Sequence, residues 1–512
     1  MKITEKTILR DYNKLKALAR IALKREEYSA ANIFIHKAAT LMYESNLFYT
    51  DDELEYLMIL LGTQLFKSAN SNVKRVIDKR LLFYDYFVMD NRGLTEQYIE
   101  ALRDSDYSVL YIGCRKKNAA SYEIYEKLES YKNFTVLQTE LDIDHIQLVY
   151  DEIVKFCPQI IVAHTAPFDI YGLTLIHQFS ECTKYLINIT DHAFWLGYTV
   201  FDYYFEFRDY GYNLSSKYRK IDTHKLLKLP FYPIINENIP FAGFDFSVER
   251  KKLIVSGGST YKIEGSPVFF ELVKHILDTH PETIFLYLGN GDFTHIHDFI
   301  LKNYYQSRFF VFPERKDIYQ VLCHSYLYLN TYPLTGSLMT QLACLGGVAP
   351  ITLRKCTSDH EGDIDELFLH APEFPIVFTD KNKLLEYVDT YLYDTNVYRD
   401  YCKILKHLII SKSAFKSLLL SYLETPVNQL TLKSYDIEVD NFSKDCIAQF
   451  NTNFHIKYYR IFISKNKFVL IHFLLYIFLY LMAKGFLLFK KILQSSIMSC
   501  GKIRILKDRF NH

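Results

Sequence analysis

The sequence has almost no excess charge of either sign and no closely paired cysteines, and each absence excludes a class of protein. Lysine plus arginine total 60 and aspartate plus glutamate total 59 in 512 residues, a formal net charge of +1. Binding to a nucleic-acid backbone normally leaves a strongly basic footprint, so we expect no nucleic-acid partner. The nine cysteines contain no CxxC pair, which excludes a zinc ribbon and a secreted disulfide framework.

The first residues of the chain, MKITEKTILRDYNKLK, lack the apolar run that a signal peptide needs. The scattered cysteines then fit reduced thiols, and we expect a cytoplasmic protein. The hydrophobic content of 49% and the charged content of 23% are ordinary for a folded chain, so wholesale disorder is excluded as well.

The N-terminal region, residues 1–75, has the periodicity of helices. Apolar residues recur every three or four positions from Tyr28 to Met42, and the capping-box pattern at residues 50–53 begins a second helix. Two such helices resemble one tetratricopeptide unit. No further copy follows, so we predict a small helical cap on the next domain.

Two series of short apolar runs that alternate with helical stretches follow, in residues 76–240 and 241–400. Runs without polar alternation are typical of parallel strands covered on both faces. A segment with three prolines, residues 229–243, predicts the linker between the two series. The strands are predicted at 81–87, 109–112, 134–137, 160–163 and 185–189, and at 253–256, 284–288, 309–312, 326–329 and 348–353.

The fold class that follows is α/β, with two Rossmann-like domains facing a cleft, an N-terminal helical cap and a C-terminal hydrophobic helix. This is the architecture of GT-B glycosyltransferases. Residues 401–466 are predicted to hold the helix that crosses back to the first domain and a polar connector. Residues 467–512 form the hydrophobic and basic tail.

Two loops in the second series have the features of phosphate sites. A strand leads into Gly257–Gly258 and then Lys262, where glycines let backbone N–H groups approach an anion and the lysine supplies a point charge. Further on, Thr335–Gly336–Ser337 begins a helix whose N-terminus offers unpaired N–H groups. Two such loops at strand ends of one sheet predict a nucleotide diphosphate site.

The sequence resembles the donor half of protein O-GlcNAc transferase-like glycosyltransferases from about residue 229 to 353. The matching segments are TYKI (260–263), FVFPERKDIYQVL (310–322) and LNTYPLTGSLMTQLACLGGVAPITL (329–353), and INITDHAFWLG (187–197) and SKYRKIDTHKLLKLPFYP (216–233) resemble the segment that runs into the linker. Residues 81–353 also resemble bacterial surface-glycan transferases. The resemblance covers about half of the chain.

The resemblance implies roles for the donor-side residues. Gly258, Lys262 and the turn Thr335, Gly336 and Ser337 would hold the donor pyrophosphate, and Arg315 falls where the family places a base-contacting lysine. Two positions depart from the family pattern: Ser337 replaces a histidine, and Leu342 replaces a ribose-binding carboxylate. The loop at residues 359–363, with Glu361, could supply a replacement carboxylate.

Candidate groups for the acceptor side follow the strands of the first series. An inverting transfer needs a group that takes the acceptor proton. His164, Asp191 and His192 are placed to do so, although each histidine also fits a core or surface residue. Asn91, Arg92 and Gly93 are a candidate acceptor loop, with a plain turn as the alternative. We predict no metal site and no cofactor, because the three DxD triplets match by letter alone and His295 and His297 have no evident third ligand.

The tail contains 22 mostly apolar residues, 468–489, that are long enough to span a bilayer. A polar seam of His472, Tyr476, Tyr480 and Lys484 favours a helix in the membrane plane or one packed on protein, with a span left open. Basic residues beyond it suit an anionic membrane surface. We therefore predict attachment to the inner face of the cell membrane, against the alternative of a buried core helix.

The function predicted is a metal-independent glycosyltransferase, transferring a hexosyl or N-acetylhexosaminyl group from a nucleotide sugar, with UDP implied by the resemblance. The acceptor is a glycan, a lipid-linked molecule or a protein, in bacterial surface polysaccharide or glycoconjugate synthesis. Two alternatives are an epimerase of the same two-domain build and an inactive glycosyltransferase-like subunit that binds a partner.

Overall fold

Three helices form the N-terminal cap: α1 (Glu5–Lys24), α2 (Tyr28–Ser45) and α3 (Asp52–Leu65). The predicted capping box does begin a helix, since the Asp51 side chain accepts the Leu54 N–H. Apolar residues of all three helices share one core with the first sheet. The structure is a computed structural model and describes residues 2–67, 76–88, 95–115, 122–236, 238–355, 364–369, 374–452, 455–466 and 471–487.

The first sheet has seven parallel strands in the order β3-β2-β1-β4-β5-β6-β7. Successive strands are added on one side of β1 as far as β3 and on its other side from β4 onward, so the crevice at the carboxyl ends of β1 and β4 is a topological switch point. The strands are β1 (Arg80–Asp85), β2 (Ser108–Gly113), β3 (Phe134–Gln138), β4 (Ile160–His164), β5 (Thr183–Ile187), β6 (Tyr203–Glu206) and β7 (Leu226–Lys228), and the helices are α4 (Thr95–Leu102), α5 (Tyr122–Ser130), α6 (Ile146–Phe156), α7 (Ile170–His177) and α8 (Asp209–Lys217).

The β1 strand shows why continuous apolar runs form this sheet. Leu81 and Phe83 point into a core shared with the second domain, while Leu82 and Tyr84 point into the core shared with the cap. Both faces are therefore dry, and a polar group on either must find a hydrogen-bond partner inside the protein in place of water.

The second sheet has six parallel strands in the order β10-β9-β8-β11-β12-β13, with its switch point between β8 and β11. The segment predicted as the linker, residues 229–243, contains no helix or strand in its described parts, 229–236 and 238–243. The strands are β8 (Lys252–Ser259), β9 (Thr283–Asn290), β10 (Phe309–Pro313), β11 (Leu327–Leu329), β12 (Ala349–Leu353) and β13 (Val377–Phe378), and the helices are α9 (Pro267–Thr279), α10 (Thr294–Lys302), α11 (Ile318–Cys323), α12 (Ser337–Leu345) and α13 (Lys381–Tyr393).

The return to the first domain is made by two helices, α14 (Thr395–Leu408) and α15 (Lys412–Glu424). The first packs on α12 and β12 of the second domain, and the second packs on α4 of the first. Tyr422 fastens α15 there, because its hydroxyl donates to the Lys228 carbonyl at 3.0 Å and its own carbonyl accepts the Tyr185 hydroxyl at 3.0 Å. Two shorter helices follow, α16 (Val439–Phe450) and α17 (Ile456–Arg460).

The hydrophobic tail is helical over 471–472 and 474–487 with a turn at Phe473, and we call the segment 471–487 the tail helix. It packs against α1: the Tyr476 hydroxyl donates to Asp11 at 2.7 Å, and Lys14 donates to the His472 carbonyl at 2.8 Å. In the described part of the chain, no helix combines the length and the hydropathy that crossing a membrane requires. The rest of the predicted tail lies outside the described residues.

Candidate active site

The switch point of the second sheet holds the predicted phosphate loops side by side. After β8 ends, a short 3₁₀ helix, Thr260–Lys262, places the lysine beside the loop that precedes α12. The Lys262 Nζ donates to the Thr335 carbonyl at 3.1 Å. Helix α12 begins at Ser337, and no side chain caps it at Gly336. As at any helix N-terminus, the first N–H groups have no partner within the helix.

Asn330 shapes this loop, and the sequence reasoning missed it. Its side-chain oxygen accepts the Gly336 N–H at 2.8 Å and the Thr331 N–H at 2.9 Å, while its amide donates to the hydroxyls of Thr340 and Thr352. Asn330 is buried directly after the apolar strand β11. A buried amide in that position is the signal that would have identified it.

The glycines leave room around the lysine. A Cβ added to Gly336 would lie 3.6 Å from the Lys262 Nζ, and one added to Gly258 would lie 3.5 Å from the Lys262 Cδ. Gly258 also has φ of +137°, which side chains other than glycine rarely adopt. Lys262, Thr335, Gly336 and Gly258 are therefore brought together. Burial lowers the pKa of Lys262, as expected of an ammonium that has no carboxylate beside it among the described residues.

Arg315, in the loop after β10, occupies a different place, against the interdomain linker. Its guanidinium forms a two-bond ion pair with Asp317, at 2.8 and 2.6 Å, and donates to the Gly243 carbonyl at 2.8 Å. The rings of Phe241 and Phe244 lie against it. These contacts anchor the linker on the second domain, and the proposed contact with a base stays a prediction. Glu361 lies outside the described residues.

The switch point of the first sheet holds His164 and a carboxylate, Asp85, that the sequence reasoning also missed. The two residues are direct neighbours in the register of β1 and β4. The His164 Nδ1 lies 2.9 Å from Asp85 Oδ1 and 2.6 Å from the Thr95 hydroxyl, and Nε2 has no partner among the described residues. The Tyr111 hydroxyl donates to Asp85 Oδ2 at 2.7 Å.

The charge state of Asp85 is set by these contacts. Burial alone would raise the pKa of Asp85, but the charge and hydrogen bond of His164, with the Tyr111 hydroxyl, outweigh burial and lower it. The carboxylate is therefore ionised at neutral pH and orients the imidazole through Nδ1. A charged residue at the carboxyl end of an apolar strand was the available signal.

Asp191 and His192 lie in the loop after β5 and are held by other partners. Arg208 donates to both oxygens of Asp191, at 2.6 and 3.0 Å. Burial opposes ionisation, yet Arg208 and His192 lower the pKa of Asp191 to about 2. The His192 ring lies near Tyr43 and Phe442, on the side of the cap.

A second buried network lies beside this loop. Glu206, at the end of β6, accepts hydrogen bonds from Asn188 and Ser215. Burial raises the pKa of Glu206 to about 7, even with the charge of Arg219 nearby. Arg219 in turn donates to the carbonyls of Asp191 and Ala193, which fixes the course of the loop.

The carboxyl edges of the two sheets meet. In the first turn of α8, the Tyr210 N–H donates to Glu366 of the second domain at 2.8 Å. Gln341 on α12 donates to the Phe231 carbonyl at 2.8 Å. The predicted acceptor loop, Asn91, Arg92 and Gly93, lies outside the described residues. In the ranges that the structure covers, no group of three or more His, Cys, Asp or Glu side chains is arranged to hold a metal ion.

Two parallel Rossmann-like sheets with facing switch points, joined by crossing helices, define the GT-B fold, as predicted. The structure is similar to that of a putative UDP-N-acetylglucosamine 2-epimerase from Listeria monocytogenes, with a TM-score of 0.50 and 11% identity over 70% of this chain and 100% of that chain.

Two further solved structures are similar. One is an O-GlcNAc transferase mutant from Thermobaculum terrenum (TM-score 0.49, 13% identity, 86% of this chain and 85% of that chain). The other is HepE from Anabaena in complex with UDP and glucose (TM-score 0.48, 12% identity, 67% of this chain and 99% of that chain). No protein-family model matches the sequence, and no curated protein is detectably similar to it in sequence. At these identities the similarity concerns the fold.

Proposed function

We propose that this protein is a glycosyltransferase that moves a sugar from a nucleoside diphosphate sugar to an acceptor hydroxyl. One observation carries the proposal: an anion-ready cluster and an oriented histidine occupy the switch points of two sheets whose carboxyl edges meet. Ligands of open α/β sheets bind at such points. Transfer between a diphosphate leaving group and a hydroxyl needs those two kinds of group.

On the donor side, the reaction develops negative charge on the leaving diphosphate as the bond from the anomeric carbon to its oxygen breaks. The Lys262 ammonium and the first N–H groups of α12 stabilise that charge more than they stabilise the intact donor. Gly336 and Gly258 keep the approach open. The Ser337 hydroxyl and the Thr335 turn complete the site.

On the acceptor side, the hydroxyl oxygen attacks the anomeric carbon and its proton passes to the His164 Nε2. Asp85 and Thr95 hold the ring through Nδ1, and Asp85 stabilises the imidazolium that forms. Asp191, ionised and paired with Arg208, is a weak proton acceptor at neutral pH, so we assign it to positioning Arg208 and the loop that carries His192.

The details of the proposed reaction follow the resemblance to O-GlcNAc transferase-like glycosyltransferases. It implies UDP as the nucleotide, inversion at the anomeric carbon and no metal requirement, in synthesis of a surface glycan or glycoconjugate at the cytoplasmic side. Arg315 and Glu361 stay proposed donor contacts, and Asn91, Arg92 and Gly93 stay the proposed acceptor loop. The domain boundaries given above, 1–75, 76–240, 241–400, 401–466 and 467–512, belong to the same proposal.

The second candidate is a nucleotide-sugar epimerase, because the protein from Listeria monocytogenes with a similar fold is described as a putative UDP-N-acetylglucosamine 2-epimerase. An epimerase changes the sugar without an acceptor. An inactive partner-binding subunit would bind the nucleotide weakly or not at all.

The test incubates the purified full chain with a panel of UDP-sugars, with and without a lipid-linked glycan acceptor, and with EDTA. We expect UDP release that the acceptor stimulates and that EDTA leaves unchanged. Proton NMR of the recovered sugar distinguishes the classes: a new isomer formed without acceptor identifies an epimerase. Absence of nucleotide binding by calorimetry and of any turnover would identify the inactive subunit and overturn the proposal.

A further inference from the structure

The tail helix presents a large apolar surface outward. Its inward side is buried on α1 and neighbouring residues through Phe473, Tyr476 and Ala483. Of the polar seam noted in the sequence, Tyr476 thus lies against the protein. The outward side is a row of exposed apolar residues, which we call the apolar ridge: Ile471, Leu474, Leu475, Phe478, Leu481, Met482 and Phe486, each 47% exposed or more.

Basic residues of α1 lie in a line beside the apolar ridge. Arg10 donates to the Tyr476 hydroxyl at 3.0 Å, and Lys14 lies over the Phe473 ring at 4.6 Å. Lys6 continues the line one helical turn away on α1 and is exposed. At the other end of α1, Lys24 is exposed and Arg25 lies close enough to His472 to lower its pKa, after the larger effect of burial.

We propose that the apolar ridge and the bases of α1 together form a docking surface for an anionic lipid bilayer. A helix that lies in the membrane interface inserts its apolar face to the depth of the acyl chains, and basic residues beside it contact the anionic headgroups. The sequence beyond the tail helix has the same sign of charge, with six lysines and arginines against one aspartate in residues 488–512. This inference does not rest on the proposed enzymatic activity.

Charge decides between a membrane and a second copy of this chain. A two-fold contact through the ridge would bring the same line of bases against itself. Anionic lipid would neutralise those bases instead. Exposed apolar patches of this extent on soluble proteins generally mark an interaction site, and the charge beside this one selects the lipid.

The experiment is flotation of the full chain with vesicles of phosphatidylcholine, alone or with phosphatidylglycerol. The ridge variant Leu474→Gln/Leu475→Gln/Phe478→Gln is expected to weaken binding to anionic vesicles more than about a hundredfold, because three large apolar side chains no longer enter the bilayer. The matched control is Leu301→Gln/Tyr304→Gln, exposed apolar residues of the second domain, which should bind as the parent does.

The charge variant Lys6→Gln/Lys24→Gln removes two basic residues that form no ion pair with any described residue. It should weaken binding to anionic vesicles by about fivefold per base and leave binding to neutral vesicles unchanged. Thermal melts confirm folding of each variant. A folded ridge variant that floats like the parent would overturn the proposal. So would light scattering that shows a parental dimer converted to monomer by the ridge variant, since the ridge would then bind a second copy.

Discussion

The two sheet edges that meet in the cleft are built from different chemistry. At the edge of the first sheet, the ionisable side chains are buried and paired: Asp85 with His164, Asp191 with Arg208, and Glu206 near Arg219. At the edge of the second sheet, among the described residues, the half-buried Lys262 ammonium donates to a carbonyl, and its neighbours are hydroxyls, an amide and glycines. The edge of the first sheet therefore has groups that can bind and transfer a proton, and we call it the proton-holding edge. The edge of the second sheet has groups that can bind an anion, and we call it the anion-receiving edge.

The largest expected effect is on the anion-receiving edge. Lys262→Ala should lower kcat by about a hundredfold or more, because a fixed charge no longer meets the leaving diphosphate. The measurement is steady-state UDP release from the donor that the parent prefers. Lys302→Ala, on the exposed end of α10, is the matched control and should turn over normally. A folded Lys262→Ala enzyme with parental turnover would place the pyrophosphate elsewhere.

The proton-holding edge is tested by Asp85→Asn. We expect kcat to fall at least about tenfold, since the imidazolium that forms during transfer loses its carboxylate. KM for the donor should change little, because the donor site lies on the other sheet. Tyr111→Phe, which removes one hydrogen bond to the same carboxylate, should lower kcat less. A variant that loses thermal stability together with its rate would indicate a structural role.

Gly336→Ala probes the space of the donor site without removing charge. The new methyl would lie at ordinary contact distance from Asn330 and Lys262, so the protein should fold. It would occupy the phosphate approach, and we expect KM for the donor to rise about tenfold with a smaller change in kcat. Gly346→Ala at the other end of α12 is the control, with similar contacts and no expected change. Equal effects of both substitutions would point to helix stability as the cause.

The last effect concerns stability and leaves turnover aside. The pKa of Glu206 is raised from its usual 4.5 to about 7 by burial, so the folded state binds this proton more tightly than the unfolded chain does. Its contribution is complete below pH 4.5 and is lost as pH rises towards 7, by roughly 3 kcal/mol. Glu206→Gln should therefore show a flatter unfolding free energy between pH 4.5 and 8 in urea titrations. A parallel pH dependence in parent and variant would contradict this assignment.

The sequence predicted the architecture well because the strands that build both sheet centres are continuous apolar runs. All ten strand predictions correspond to observed strands. The strands missed, β6, β7 and β13, have two to four residues and lie at or near sheet edges, where pairing with a neighbour decides the conformation. Segments this short do not show enough of the residue pattern that indicates a strand.

The site was less predictable because its pairs are distant in sequence. His164 meets Asp85 across 79 positions only because β1 and β4 pair in register. Asp191 was identified from its position after a strand, but nothing near it in the sequence indicated that Arg208 would hold both of its oxygens. In the Gly-rich loops, in contrast, the local sequence determines the backbone conformation. The structure brings Lys262 and Thr335 of these loops together.

The attachment of Tyr422 to the Lys228 carbonyl has a mechanical consequence. The hydrogen bond ties the last turn of α15 to the strand end from which the outgoing linker starts. At the start of α15, the Phe415 ring lies 5.5 Å from the Tyr232 ring of the linker, so the two covalent crossings lie side by side. Two adjacent crossings allow rotation about one axis and limit sliding. The break between α14 and α15 at residues 409–411 and the linker residues after Lys228 are where that rotation would bend the backbone. Opening would then swing Lys262 away from His164 along an arc.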